Sequence, residues 1–218
     1  MSARTTRSAG NEPSETLSEW FLLHGKSLAI GAIVIAVAAG GFYAYRQSTE
    51  ATNRSAEQAL YSAQTSFASG NVQLAQTDLG QVIDRYQGTS AATQAAMLLA
   101  QTYYDNSQWD EGLTALRRVE GSAGSDFNAA VKGLIGTGLE GKGDFAAAAQ
   151  SYLAAASAAR FDLDADSYRA DAARAYTSGG STAEAVRIWE ELAASSESPH
   201  APEARVRLGE LTATPVGG

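Results

Sequence analysis

The chain has 218 residues and a net charge of −8. That length can bury a core in one or two domains, and the acidity excludes the basic footprint of a nucleic-acid-binding surface. Cysteine is absent, which removes disulfides, thiolate metal sites and a cysteine nucleophile, and four prolines leave long stretches free to be helical.

Residues 1–13 are polar and patternless, so a disordered tail is expected there. Residues 14–26 read as an amphipathic juxtamembrane segment. Thr16 and Glu19 have capping-box spacing, and Trp20, Leu22 and Leu23 supply its apolar side. Ser27 to Tyr45 are nineteen uncharged residues between Lys26 and Arg46. A helix of that length is about 28 Å long, near the hydrocarbon thickness of a bilayer. Phe42, Tyr43 and Tyr45 gather at one end, as interfacial aromatics do. A transmembrane helix is therefore predicted over 27–46.

Two alternatives compete. A core helix apolar on all faces is out of keeping with so polar a chain. A cleaved signal peptide is suggested by Ala36-Val37-Ala38, but the segment before the span is long and carries Glu12, Glu15 and Glu19. Arg4, Arg7 and Lys26 on one side nearly balance Arg46 and Arg54 on the other, so charge leans only weakly to a cytoplasmic N-terminus. Ala32, Ala36, Gly40 and Ala44 form a small-residue stripe on which another helix, including one from a second copy, could pack. Ten of the nineteen residues are Ala, Gly or Ser, so such a stripe also arises by chance.

Residues 47–212 show helical periodicity, and 213–218 form a short tail. Breaks fall at 69–71, 88–90, 105–107, 121–125, 141–143, 161–164, 178–180 and 195–199. No run alternates with period two, so no strand is expected. The pieces pair, and the pairs repeat. Gly143 is followed by a small residue at Ala148, an aromatic at Tyr152 and a small residue at Ala155. Gly180, Ala185, Trp189 and Leu192 repeat the spacing; Ser107, Gly112, Leu116 and Val119 follow it loosely, and Gly70, Ala75, Leu79 and Val82 more loosely still. The small positions 75, 112, 148 and 185 are separated by 37, 36 and 37 residues. Two antiparallel helices need a small residue where their axes cross and a large one beside it. One pair cannot bury its apolar face alone, whereas stacked pairs can. The last helix, His200 to Leu211, is charged through Glu203, Arg205, Arg207 and Glu210, and suits a polar cap. The expected fold is all-α: one transmembrane helix, then an α-solenoid of about four helix pairs and a capping helix.

This spacing, with its period, resembles the tetratricopeptide repeat over about residues 50–211. The run Glu19-Trp-Phe-Leu-Leu-His-Gly25-Lys26-Ser-Leu-Ala-Ile-Gly31, a span ending in aromatics and Arg46, and then the repeats resemble the YfgM-type ancillary subunit of the SecYEG translocon. The resemblance implies a bacterial inner-membrane protein of one span, with a cytoplasmic N-terminus and a periplasmic repeat domain. It also implies association with SecYEG and with a membrane-anchored periplasmic folding factor.

Other motifs carry less. Gly136 to Gly143 has the glycine and lysine spacing of a phosphate-binding loop, but Gly143 replaces the magnesium-binding hydroxyl and the segment ends a helix. His24 and His200, the only histidines, suggest no metal or triad geometry. Asp162, Asp164 and Asp166 alternate like part of a calcium loop without its glycine turn or distal glutamate, and fit a helix start better. Asn53-Arg54-Ser55 is a bare glycosylation sequon. No cofactor, metal or catalytic residue is expected, and no enzyme activity.

The repeat register places Gln94, Met97, Gln101 and Tyr104, then Thr137 and Glu140, then Ser167 and Arg174, on the inner face of successive first helices. That mixed surface suits adaptable binding of unfolded or extended client segments; merely solvated surface is the plainer alternative. The expected function is an envelope scaffold or chaperone-like subunit beside the export channel. The alternative is a structural adaptor in another membrane complex.

Overall fold

The computed structural model describes residues 14–213, with side-chain surroundings for residue 31 and for 34–213. The expected tail 1–13 and residues 214–218 lie outside that range. Two compact units are present, Met1–Ala51 and Thr52–Gly218. The described residues are helical and contain no strand.

Helix α1 runs from Ser14 to Ala68. The amphipathic segment, the predicted span and the start of the first repeat, expected as separate pieces, thus form one unbroken helix. No proline interrupts it to remove a backbone donor. Among the described residues no helix is long and apolar enough to cross a membrane. The side chains of 27–30, 32 and 33, which belong to the predicted span, lie outside those described.

In the second unit the last turns of α1 are followed by α2 (Val72–Arg85), α3 (Ser90–Tyr104) and α4 (Trp109–Arg117). A 3-10 turn at Glu120–Ser122 leads to α5 (Gly124–Gly141). Then come α6 (Phe145–Ala158), α7 (Asp162–Ser178), α8 (Thr182–Ala194) and α9 (Ala201–Thr212). From α2 onward each helix packs on the next, and α3 also touches α5. This nearest-neighbour packing defines a helix-pair solenoid.

The turns inside the four pairs share one conformation. Gly70, Ser107, Gly143 and Gly180 have φ of +81°, +58°, +81° and +76°. Three are glycine, which enters this left-handed region without steric cost, and Ser107 does so with a side chain. In the first and third pairs the side chain of the residue after the turn caps the second helix, whereas Gln108 and Ser181 make no such bond. Asn71 Oδ1 accepts the Leu74 N–H and Asp144 Oδ1 the Ala147 N–H, each at 3.3 Å. Such caps satisfy donors that the first helical turn leaves free.

The sequence register is the packing register. Ala75, Ala148 and Ala185 are fully buried, as are the large residues Leu79, Leu116 and Trp189 beside the crossings. At Gly112 a Cβ would come within 2.3 Å of the Tyr104 ring, so the crossing there takes no side chain. Helix α5 extends this device. Added Cβ atoms at Gly133, Gly136, Gly138 and Gly141 would meet Tyr168, Tyr152, Tyr104 and Trp109 respectively, all within 2.7 Å. Gly136, Gly138 and Gly141 of the phosphate-loop-like run are therefore seats for aromatic rings inside a helix, Gly143 makes the turn, and Lys142 pairs with Asp110. Asp162 and Asp164 lie in the first turn of α7, where a carboxylate meets the helix dipole favourably. Helix α9 closes the stack with Ala201 and Ala204 buried and Leu208 and Leu211 packed inward.

Candidate functional site

The first helices of successive pairs, α3, α5 and α7, together with α9, present one shared face, the surface that a helix-pair solenoid offers to partners. On α3, Gln94 and Gln101 are exposed and Met97 is half-buried against the core. Tyr104 departs from expectation. It is only 8% exposed, and its hydroxyl donates to the Leu134 carbonyl at 3.2 Å. Its ring lies 5.3 Å from that of Trp109 and fills the space left by Gly112 and Gly138. Burial pushes its hydroxyl pKa up, against a smaller opposing pull from Arg117. Tyr104 is thus a core residue and not a groove anchor. Gly112 and Gly138, 8 and 34 positions after it and on different helices, make the room that draws the ring inward.

The other four inner-face candidates belong to two hydrogen-bonded groups, one around Tyr152 and one around Arg174. The Tyr152 hydroxyl, reaching over from α6, donates to Glu140 Oε2 at 2.9 Å and lies 3.3 Å from Thr137 Oγ1. Burial raises the Tyr152 pKa, and the charges of Glu140 and Asp171 add to the shift. On α7, Arg174 is engaged in two directions. Its Nη1 donates to Asp171 at 2.6 Å, and its Nε and Nη2 form a fork onto Glu203 of α9 at 2.9 and 2.7 Å. Bidentate pairing of this kind fixes geometry as well as charge. His200 sits at the head of α9, with Nε2 3.2 Å from Ser167 Oγ and Nδ1 3.6 Å from Glu203.

The two acids of the clamp shift oppositely. Hydrogen bonding from Arg174 holds Glu203 below its usual value. Burial raises Asp171 despite Arg174, and the nearby charge of Glu140 raises it further. The sequence reading therefore named Thr137, Glu140, Ser167 and Arg174 but missed Tyr152, Asp171, His200 and Glu203, which join them. Tyr152 was assigned only a packing role, and Glu203 only a solvated one on the cap. Asp171 stands three residues before Arg174, a helical spacing that brings the two together.

The small-residue stripe lies on α1. Ala36, Gly40 and Ala44 are exposed, nothing lies within 4 Å of a Cβ built on Gly40, and the Ala32 side chain is outside those described. Among the described residues no group of His, Asp or Glu is placed to hold a metal ion.

A stack of helix pairs whose shared face is polar and mixed is a protein-binding scaffold of the repeat class. Residues 18–213 match the tetratricopeptide repeat-like domain, and the chain belongs to that family. A structure of a putative kinesin light chain with nearly identical TPR-like repeats, from Podosopora anserina, is similar with a TM-score of 0.56 and 19% identity, over 73% of this chain and 86% of that one. A variant of that protein gives the same TM-score and identity, with 85% of its chain covered. This likeness is one of fold. No curated protein matches the sequence.

Proposed function

We propose that this protein is a membrane-anchored scaffold beside the protein-export channel of a bacterial inner membrane, with its repeat domain in the periplasm holding extended segments of other proteins. One observation carries the anchoring. Val34, Ile35, Val37, Phe42, Tyr43 and Tyr45 are between 62% and 71% exposed on α1, within a stretch of nineteen uncharged residues. A helix apolar on every side, with no protein packed on those side chains, finds its solvent in lipid. The family match begins at residue 18, upstream of the stretch, which supports reading the apolar helix and the repeats as one architecture.

Association with SecYEG and with a membrane-anchored folding factor rests on the likeness of the Glu19–Gly31 run, the span and the repeats to YfgM-type subunits. Binding of clients rests on the mixed inner face.

Topology and partners are tested together. The chain has no cysteine, so Ser196→Cys, at an exposed site before α9, creates a unique thiol. It should react with an impermeant reagent in intact spheroplasts, and labelling only after lysis refutes the orientation. The full chain extracted in mild detergent should carry the translocon with it. Consistent recovery of a different membrane complex would instead make it an adaptor of that complex.

A further inference from the structure

Phe161 and Leu163 are 65% and 59% exposed, although both are large and apolar. They stand two positions apart where α6 passes into α7, and Phe161 is the extended residue that precedes the first turn of α7. Arg160 lies over the Phe161 ring, 6.0 Å from its centroid, and is itself held by Asp126 of α5 at 2.6 Å. The ring is thus braced in water, which lowers the ordering cost of a contact. A cleft opens on each side of the pair. One, of 210 Å³, has Phe161 in its wall and runs to the start of α5 and the end of α6. The other, of 440 Å³, has Leu163 in its wall and lies between the start of α7 and the end of α8. Asp162, Asp166, Glu191 and Glu197 line this larger cleft against one cation, Arg169, which already donates to Asp166 at 2.7 Å. Among the described residues no cation pairs with Asp162 or Glu197. Among those same residues the acids do not converge as metal ligands would. None of the inner-face candidates lines either cleft.

The geometry points to a second docking surface, at the α6–α7 junction, for a basic and apolar segment of a partner protein. An aliphatic side chain of that segment covers Phe161 and Leu163, and a lysine or arginine beside it enters the cleft between α7 and α8. Neighbouring exposed apolar side chains flanked by clefts and rimmed with charge mark a contact surface, as single ones do not. Charge complementarity selects the occupant. Four carboxylates against one guanidinium attract a cation and repel an acidic segment or an anionic lipid surface. A second copy of a chain with a net charge of −8 is repelled as well. This surface stands apart from the inner face and does not rest on client holding there.

The test uses the full chain in detergent micelles, with empty micelles as the blank, and fluorescein-labelled peptides of Ser and Gly. One peptide carries a Leu and two Lys, one has Gln for the Lys, and one has Ser for the Leu. Anisotropy should show the Leu–Lys peptide bound about tenfold tighter than either of the others. Phe161→Ser with Leu163→Ser should remove that advantage, and the unfolding temperature should hold because both side chains are exposed. Asp162→Asn with Glu197→Gln should weaken the Leu–Lys peptide about threefold at low salt and have little effect at high salt. Met97→Ser, on the inner face, should leave its binding unchanged. The chain has no cysteine, so a polarity-sensitive dye on Leu163→Cys reports what covers the site, and it should shift to the blue when the Leu–Lys peptide is added. Failure of the Leu–Lys peptide to bind, binding indifferent to the Phe161 and Leu163 changes, an equally bound Gln peptide, or loss on Met97→Ser overturns the proposal. A blue shift without peptide also overturns it: in phospholipid nanodiscs lipid is then the occupant, and on raising the protein concentration a second copy is.

Discussion

Gly138→Ala separates packing from helix propensity by sign. Gly138 lies inside α5, and on propensity alone Gly→Ala in a helix interior stabilises by about 1 kcal/mol. The structure requires the opposite. A Cβ at this position would stand 2.3 Å from the Tyr104 Oη, 2.7 Å from its Cζ and 2.9 Å from Leu113 Cδ2. The ring would have to retreat by about 1 Å to reach ordinary contact. Its surroundings resist that: Gly112 already accommodates the same ring on α4, and Trp109 lies against it. Retreat also strains the bond to the Leu134 carbonyl, worth about 1 kcal/mol. Overpacking of this kind costs about 1–3 kcal/mol. Set against the propensity gain, the net loss should be about 1–3 kcal/mol, or about 3–10 °C in Tm for a domain of this size. Urea and thermal unfolding of residues 52–218, followed by circular dichroism, measures it. Gly80→Ala is the matched control, since Gly80 lies inside α2 with nothing within 4 Å of an added Cβ, and it should stabilise. Tyr104→Phe removes the nearest atom, so Gly138→Ala should cost at least about 1 kcal/mol less in that background. A stabilised Gly138→Ala protein, or an equal cost in both backgrounds, would refute the reasoning.

Ala148 is fully buried at the α6 crossing and Ala147 is half-buried, so Ala148→Leu should lower stability by about 1–3 kcal/mol and Ala147→Leu by clearly less; equal melting temperatures would contradict the register. Ser107→Val forces a β-branched side chain to a φ of +58° and should cost about 2 kcal/mol, whereas Ser107→Gly should be neutral or stabilising by up to about 1 kcal/mol, both read from denaturant midpoints. The clamp predicts opposite pH slopes. Glu203 is lowered in the folded state, so its contribution is present above the unfolded pKa and fades as pH falls through the folded one. The stability gap between the native chain and Glu203→Gln should therefore narrow between about pH 6 and 3. Asp171 is raised, so its ionised form opposes folding and that penalty lifts on acidification. The native chain should gain stability relative to Asp171→Asn over the same range, and parallel profiles for the two variants would count against the clamp.

The helix-pair register was legible because it is written in side-chain size at fixed spacing. A helix crossing admits only a small residue, so positions 75, 112, 148 and 185 announce themselves without any knowledge of what they touch. The same logic made the turns visible through Gly70, Gly143 and Gly180, and even Ser107 was placed correctly by its position in the period. Contacts between pairs obey no such periodicity. Arg174 meets Glu203 across 29 positions and Tyr104 meets the Leu134 carbonyl across 30, and neither separation is marked by composition. Tyr104 was misplaced for a definite reason. Helical spacing from Met97 puts it on the exposed face, but the empty space at Gly112 and Gly138 rewards turning the ring inward, where its apolar area leaves water. A tyrosine near facing glycines in a helix-pair repeat should therefore be assigned to the core, and inner-face candidates sought among residues with no such vacancy beside them. By that criterion Glu140 and Asp171, half-buried and charged, have nowhere inward to turn. Burying a carboxylate without a partner costs more than any packing gain can return. They stay near the surface because their charge must, and each takes a hydrogen bond there, Glu140 from Tyr152 and Asp171 from Arg174.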